Sequence, residues 1–392
     1  MPSLPADGGR RPLAAALVVD AVAIALAVEW GLLPVLILCW LDGAVLLCRL
    51  AVESLFAANP TPAGLGPPYL FPLDRLRSKR GGITVGDRLP PVRPGNIPYA
   101  VFWALQLVVV GFGIALVALF VRLPGSVTET TVAVLGFGGM AILARHAETL
   151  RATLRAGHYE NRTAYSTVAG VRGTVFYVIT VLLPAIAVTG SAVGVGLAVT
   201  AAGIVVVKLA SDLLEIRAIA PSSRADETAV AEPDLSVPAG DPDAVVRADR
   251  RGILVETILF APLYGAASPA GVFVLLGVLA VGLVFGFVAG VATLVLTVVV
   301  VFAVEGLVSY VTAYNVEYRI YPDAVVAYDT LLDAPQWSIP RGEISDVGTS
   351  NAMLSVLFDE PYGKVRLKRV GEGAEYVSPI RNPDEFPRYL AS

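Results

Sequence analysis

Apolar runs recur along the chain from Leu13 to Val311, interrupted by short polar gaps. About 20 apolar residues cross a bilayer core as one helix. On that measure the pattern predicts eight transmembrane helices, at 13–30, 33–56, 99–122, 129–145, 168–189, 191–213, 270–288 and 290–311. The fourth is short, with Gly136, Gly138 and Gly139 inside its apolar stretch. The segment 252–267 is apolar but carries Glu256, Pro262 and Gly265, which suits a helix lying in the membrane interface. From Tyr314 onward the period changes to two. Short alternating runs at Val316, Arg319–Tyr321, Val325–Tyr328, Gln336–Ile339, Ile344–Val347, Leu354–Phe358, Lys364–Leu367 and Tyr376–Ser378 predict about seven strands. Asn382-Pro383-Asp384-Glu385 then has the form of a helix start, with Asn382 as N-cap, Pro383 at N1 and Glu385 completing a capping box. The expected fold is a membrane all-α domain followed by a small β-barrel closed by one helix.

Charge fixes the orientation. Of 29 Lys and Arg, only Arg122 falls at an outer end if the N-terminus is inside. The inner segments 1–12, 57–98, 146–167, 214–269 and 312–392 hold nearly all the rest. Basic residues beside the spans mark the cytoplasmic side, so both termini are expected there. Only 16% of residues are charged, against about 25% in soluble domains. The bilayer is therefore the expected surrounding, and the locus a cell membrane. A net charge of −4 speaks against nucleic-acid binding, which needs a clustered basic surface. Cys39 and Cys48 lie nine residues apart in one run. On one helix that is about 13 Å, too far for a disulfide.

The polar gaps divide the chain into a six-span membrane domain (1–215), an acidic flexible linker (216–250), an interfacial helix with a two-span anchor (251–312) and a cytoplasmic tail (313–392). The loop 57–98 holds nine prolines and the basic cluster Asp74–Arg80. Its prolines deny it regular structure, and its charges serve as a topology signal or rest on anionic headgroups. Gly282, Gly286 and Gly290 recur every four residues and permit close helix contact, within the chain or between two copies of it. Gly290 also suits the turn before the last span.

Two resemblances bear on identity. Tyr318-Arg319-Ile320, Ile339-Pro340, Ile344-Ser345-Asp346-Val347, Leu357-Phe358, Gly363-Lys364-Val365 and Ile380-Arg381-Asn382-Pro383 resemble the bacterial pleckstrin-homology-like domain that follows paired membrane spans. That family has Gly just after its Leu-Phe element; here Asp359-Glu360-Pro361-Tyr362 intervenes. The resemblance implies an adaptor and carries no phosphoinositide pocket. The first 215 residues resemble a prokaryotic multi-pass family of haloarchaeal type, for which no activity is implied. The matching residues are Leu38-Cys39-Trp40-Leu41-Asp42 and Lys208-Leu209-Ala210-Ser211-Asp212-Leu213-Leu214. Cys39 and Asp42 depart from that family's aromatic-Trp-Leu-Glu pattern.

An ionisable residue at mid-bilayer costs about 2.5–3.5 kcal/mol by insertion scales. Asp20, Asp42, Arg49, Glu53, Lys208 and Asp212 are therefore the candidate residues. Asp20 and Arg49 fall at one depth on adjacent spans. Arg49–Glu53 and Lys208–Asp212 are each spaced i, i+4 on one helix face. Asp42 is nearest the midplane and has no evident partner in the sequence. Read functionally, they are an ion- or proton-handling cluster; read structurally, they are pairs that fix helix packing. His146-Ala147-Glu148 and His158-Tyr159-Glu160 lack the further ligands of a zinc site, so a solvated amphipathic helix is expected there. No catalytic, cofactor or metal residues emerge. The function expected is a non-enzymatic scaffold or adaptor, with a cytoplasmic protein partner bound through 313–392. The alternative is a transporter or channel using Asp42, Asp20 and Arg49.

Overall fold

The computed structural model describes residues 32–62, 72–86, 89–107, 129–168, 202–210, 237–267, 269–351, 362–370 and 373–391, with single residues 18, 22, 65, 70, 199, 200 and 235 besides. The chain forms two compact units. One comprises 1–66, 86–90 and 99–231; the other comprises 67–85, 91–98 and 232–392.

In the first unit, helix α1 (Leu32–Phe56) is a continuous 25-residue run. It buries Val35, Leu38, Cys39, Leu46, Leu47 and Leu50, spaced three, four or seven apart, so that one stripe faces its neighbours. Ile142 of helix α2 (Glu129–Arg155), Val168 of the short helix α3 (Ala164–Val168) and Ile204 of the helix over 202–210 complete that core. Cys48 is exposed. Helix α2 does not stop at the expected end of the fourth span. No Gly or Pro interrupts it between Met140 and Arg155, and the chain turns away only at Gly157, at φ 66°.

In the second unit, helix α4 (Arg250–Ala267) starts on Asp249, whose Oδ1 accepts from the Arg251 and Gly252 amides at 2.9 and 3.0 Å. Helices α5 (Pro269–Phe285) and α6 (Phe287–Ser309) form a hairpin. Its turn is Gly286, at φ 94°, a conformation open to glycine and strained for other residues. The expected turn at Gly290 is thus displaced by four residues. Gly290 instead packs against Gly282 so closely that a Cβ on it would meet the Gly282 Cα at 2.8 Å. The glycine repeat therefore serves a contact inside the hairpin.

Among the described residues, two helices are long and apolar enough to cross a membrane, Pro34–Phe56 and Phe287–Tyr314, where the sequence pattern predicts eight. Helix α5, of 17 residues, is about 26 Å long, just under a bilayer core. The expected spans at 13–30 and 168–189, and the greater part of those at 99–122 and 191–213, lie outside the described residues. Helix α6 carries no charged residue before Glu305 and exposes Phe287, Val288, Leu296 and Leu307, a surface that water does not favour.

A π turn (Tyr310–Tyr314) leads directly from α6 into a β module. Its strands are β1 (Ala244–Arg247), β2 (Val316–Ile320), β3 (Ala324–Asp329), β4 (Ala334–Pro340), β5 (Ile344–Asn351), β6 (Tyr362–Arg369) and β7 (Ala374–Arg381). They make two antiparallel sheets, ordered β1-β2-β3-β4 and β5-β6-β7. Val246 pairs with Tyr318, Tyr318 with Ala327, Val347 with Leu367 and Val365 with Val377. Val316, Tyr318, Ile320, Val325 and Ile339 of the first sheet and Val365, Leu367, Val377 and Ile380 of the second share one core. Phe386 of the C-terminal helix α7 (Phe386–Ala391) is fully buried in it. The Ser378 amide donates to Tyr318 Oη at 2.7 Å, tying the sheets together. Burial pushes the Tyr318 phenol above its usual pKa, against the opposing effect of that hydrogen bond.

Three expectations are corrected. The strands do not close into a barrel among the described residues: at the turn Arg341–Glu343 the chain leaves one sheet for the other. The linker assigned to 216–250 ends in a strand, because Ala244 and Val246 face the core while Val245 and Arg247 face out. Asn382 makes no side-chain cap; it takes a left-handed φ of 51° to turn the chain out of β7. The expected strand at 354–358 lies outside the described residues.

Candidate functional site

Three helices of the first unit converge on the Asp42 carboxylate. Lys208 Nζ, from the helix over 202–210, lies 2.8 Å from Oδ2 as an ion pair. Arg145 and His146, adjacent on α2, both reach Oδ1. The Arg145 guanidinium donates to it, and His146 Nε2 lies 2.8 Å away. His146 Nε2 is also 3.1 Å from Arg145 Nη2. A ring that donates from Nε2 to the carboxylate leaves that nitrogen unable to accept from Arg145, whose guanidinium is a donor only, so the tautomer is assigned to the shorter contact, with Asp42. His146 Nδ1 then remains a buried acceptor with no hydrogen-bond partner among the described residues. Asp42 is 0% exposed, Lys208 1%, His146 2% and Arg145 4%. Ions this deep are stable only when paired, since desolvating each costs several kcal/mol. Thr149 Oγ1 donates to the Arg145 carbonyl at 2.8 Å, adding a polar tie on α2.

Two and three turns along α1 from Asp42, Arg49 and Glu53 form the expected i, i+4 pair at 3.3 Å, also buried. Arg49 is within electrostatic reach of His146. Asp20 and Asp212 lie outside the described residues, and with them the expected Asp20–Arg49 and Lys208–Asp212 pairs.

Asp42, which has no partner evident in the sequence, has three in the structure. Lys208 was legible as a candidate; Arg145 and His146 were not. The sequence places His146 on a solvated helix, and the structure corrects this: α2 continues past Leu143 and turns His146 toward α1. The signal available was helical spacing, since Ile142 and His146 are four apart. His158, of the other H-x-E, lies in the turn His158–Asn161. Among the described residues no group of three or more His, Cys, Asp or Glu could hold a metal ion. The cluster has two chemical capacities: to fix three helices at one register, or to hold fixed charge beside an ion path.

The second unit holds a different polar site. Residues 75–81, from the Pro-rich loop, lie against the end of α6 and the β module. Lys79 Nζ donates to Asp329 Oδ2 at 2.7 Å, with Asp329 fully buried. Asp329 Oδ1 accepts from the Leu331 and Leu332 amides at 3.0 and 3.1 Å. Burial pushes the Lys79 ammonium below its usual pKa, opposed by its bond to Asp329. The Gln336 side-chain amide reads the Arg80 backbone in both directions: its oxygen accepts from the Arg80 amide at 3.0 Å and its nitrogen donates to the Arg80 carbonyl at 3.1 Å. Arg75 pairs with Glu305. Leu76 is buried against Val308 and Val311.

Comparison with known proteins gives no match: no family model, no curated protein and no solved structure is detectably similar to this chain.

Proposed function

We propose that the chain is a multi-pass membrane protein of about eight transmembrane helices, with both termini in the cytoplasm. Its two-sheet module acts as a docking module of pleckstrin-homology-like type and not as a catalyst. The observation that carries this reading is the continuity of α6, through a single π turn, into a two-sheet core stoppered by Phe386. A folded module fixed to the end of an apolar, outward-facing helix is held at the membrane surface, where a protein partner would meet it. Of the residues that resemble the pleckstrin-homology-like family, those described lie on β2, β4, β5, β6 and β7 and in the turn at 382–385 before α7, which adds support; Leu357-Phe358 lie outside the described residues.

The test is co-purification in mild detergent. The full chain should retain a cytoplasmic protein that a chain ending at Tyr314 loses. If both forms purify with the same companions, the docking reading fails.

One observation favours a second reading, ion or solute transport through the helical domain. Asp42, Arg145, His146 and Lys208 meet with almost no exposure, and polar residues so placed in apolar helices commonly mark ion and proton paths. Substitution of Asp42 separates this from a packing role, as argued below.

A further inference from the structure

We propose that the surface built from Asp329, Gln336 and Glu305 is a docking site for a basic peptide segment, and that residues 75–81 occupy it in cis as an internal stand-in. The inference deepens the docking reading and rests on it. It names where the module binds, and what.

The contacts have the character of peptide recognition. Gln336 engages the Arg80 amide and carbonyl together, as a neighbouring strand would, so any residue but proline at that position satisfies it. Selectivity comes from the flanking positions. Asp329, held rigid by two backbone amides, accepts a lysine ammonium. Glu305 accepts an arginine four residues before that lysine. Gly81, at φ 87°, lies so close to the module that a Cβ would meet the Leu332 carbonyl at 2.7 Å, so the second residue after the lysine must be glycine. The site therefore selects Arg-x-x-x-Lys-x-Gly.

The occupying segment has the features of a replaceable ligand. It makes one 3₁₀ turn, Leu73–Leu76, and contributes one fully buried apolar side chain, Leu76. Prolines flank it on both sides, from Pro60 to Pro72 and from Pro90 to Pro98. Its Arg75 is 45% exposed, so that ion pair holds it weakly. Its advantage over a free competitor is its tether, which keeps its local concentration high. A partner bearing the same pattern would displace it when the loop is drawn away.

The experiment uses the full chain in detergent and a fluorescent peptide of residues 73–82, with binding read by anisotropy. Two variants, Lys79→Ala and Gly81→Val, alter the internal segment and leave the module's own sequence intact. Each should bind the peptide at least about tenfold more tightly than the wild-type chain, because the internal competitor is weakened. A peptide carrying Lys79→Ala should bind neither. Equal affinity of wild type and both variants for the native peptide would overturn the proposal, as would equal binding of the two peptides. The assay needs no cellular partner. A chain that captures the peptide but co-purifies with nothing would refute the docking reading and leave this surface standing.

Discussion

Replacing Asp42 with Ala should destabilise the helical unit by about 3–5 kcal/mol, because it leaves the buried charges of Arg145 and Lys208 without their carboxylate. The expected readout is early loss of the monodisperse peak when the detergent-solubilised chain is heated and run on size exclusion. Removing both sides of an ion pair is far milder than removing one. Asp42→Leu combined with Lys208→Met should therefore recover part of the loss. An Asp42→Ala chain as heat-resistant as wild type would show that the cluster contributes nothing to packing. Asp42→Asn keeps the volume and one acceptor oxygen for Arg145 and His146, and removes the charge and the second acceptor that face Lys208. If the cluster serves transport, this variant should fold yet lose proton flux in proteoliposomes read with an entrapped pH dye. Unchanged flux would remove Asp42 from any transport path and leave the packing role.

Phe386→Ala should cost about 3–5 kcal/mol in the β module. Phe386 is 0% exposed and belongs to the core that residues of both sheets share. Helix α7 has six residues, too few to hold a helix without tertiary contacts. Losing the ring should free the helix and open the core beneath it. Limited proteolysis of the full chain should then cut within 316–391 at a protease concentration that leaves wild type intact. Tyr389→Ala, on the exposed side of the same helix, should change protection little. Equal resistance of Phe386→Ala and wild type would mean that the helix does not close the core.

The legible parts of this fold are those governed by one dimension of sequence. Helices α1 and α6 follow from long apolar runs, and β2 to β7 from a period of two. Asp42 and Lys208 stood out as charges within apolar runs. The illegible parts depend on contacts across the chain. Arg145 and His146 follow the end of an apolar run, so hydropathy assigns them to water. Only packing of α2 on α1 buries them, 103 and 104 residues from Asp42. Strand β1 has four residues in an acidic stretch and exists because β2 offers it an edge. The Pro-rich segment has no period at all, and its partners lie 230 to 256 residues away. Asn382 fits a helix N-cap by sequence, but the exit from β7 demands a left-handed turn there instead.

The central claim is a membrane protein with its β module on the cytoplasmic side. The direct measurement is cysteine accessibility in intact cells, in a Cys39→Ala, Cys48→Ala background. Ser126→Cys, in an outer gap of the expected topology, should react with a membrane-impermeant maleimide before lysis. Ser345→Cys, exposed on β5, should react only after lysis. Labelling of Ser345→Cys in intact cells, or protection of Ser126→Cys, would contradict the account.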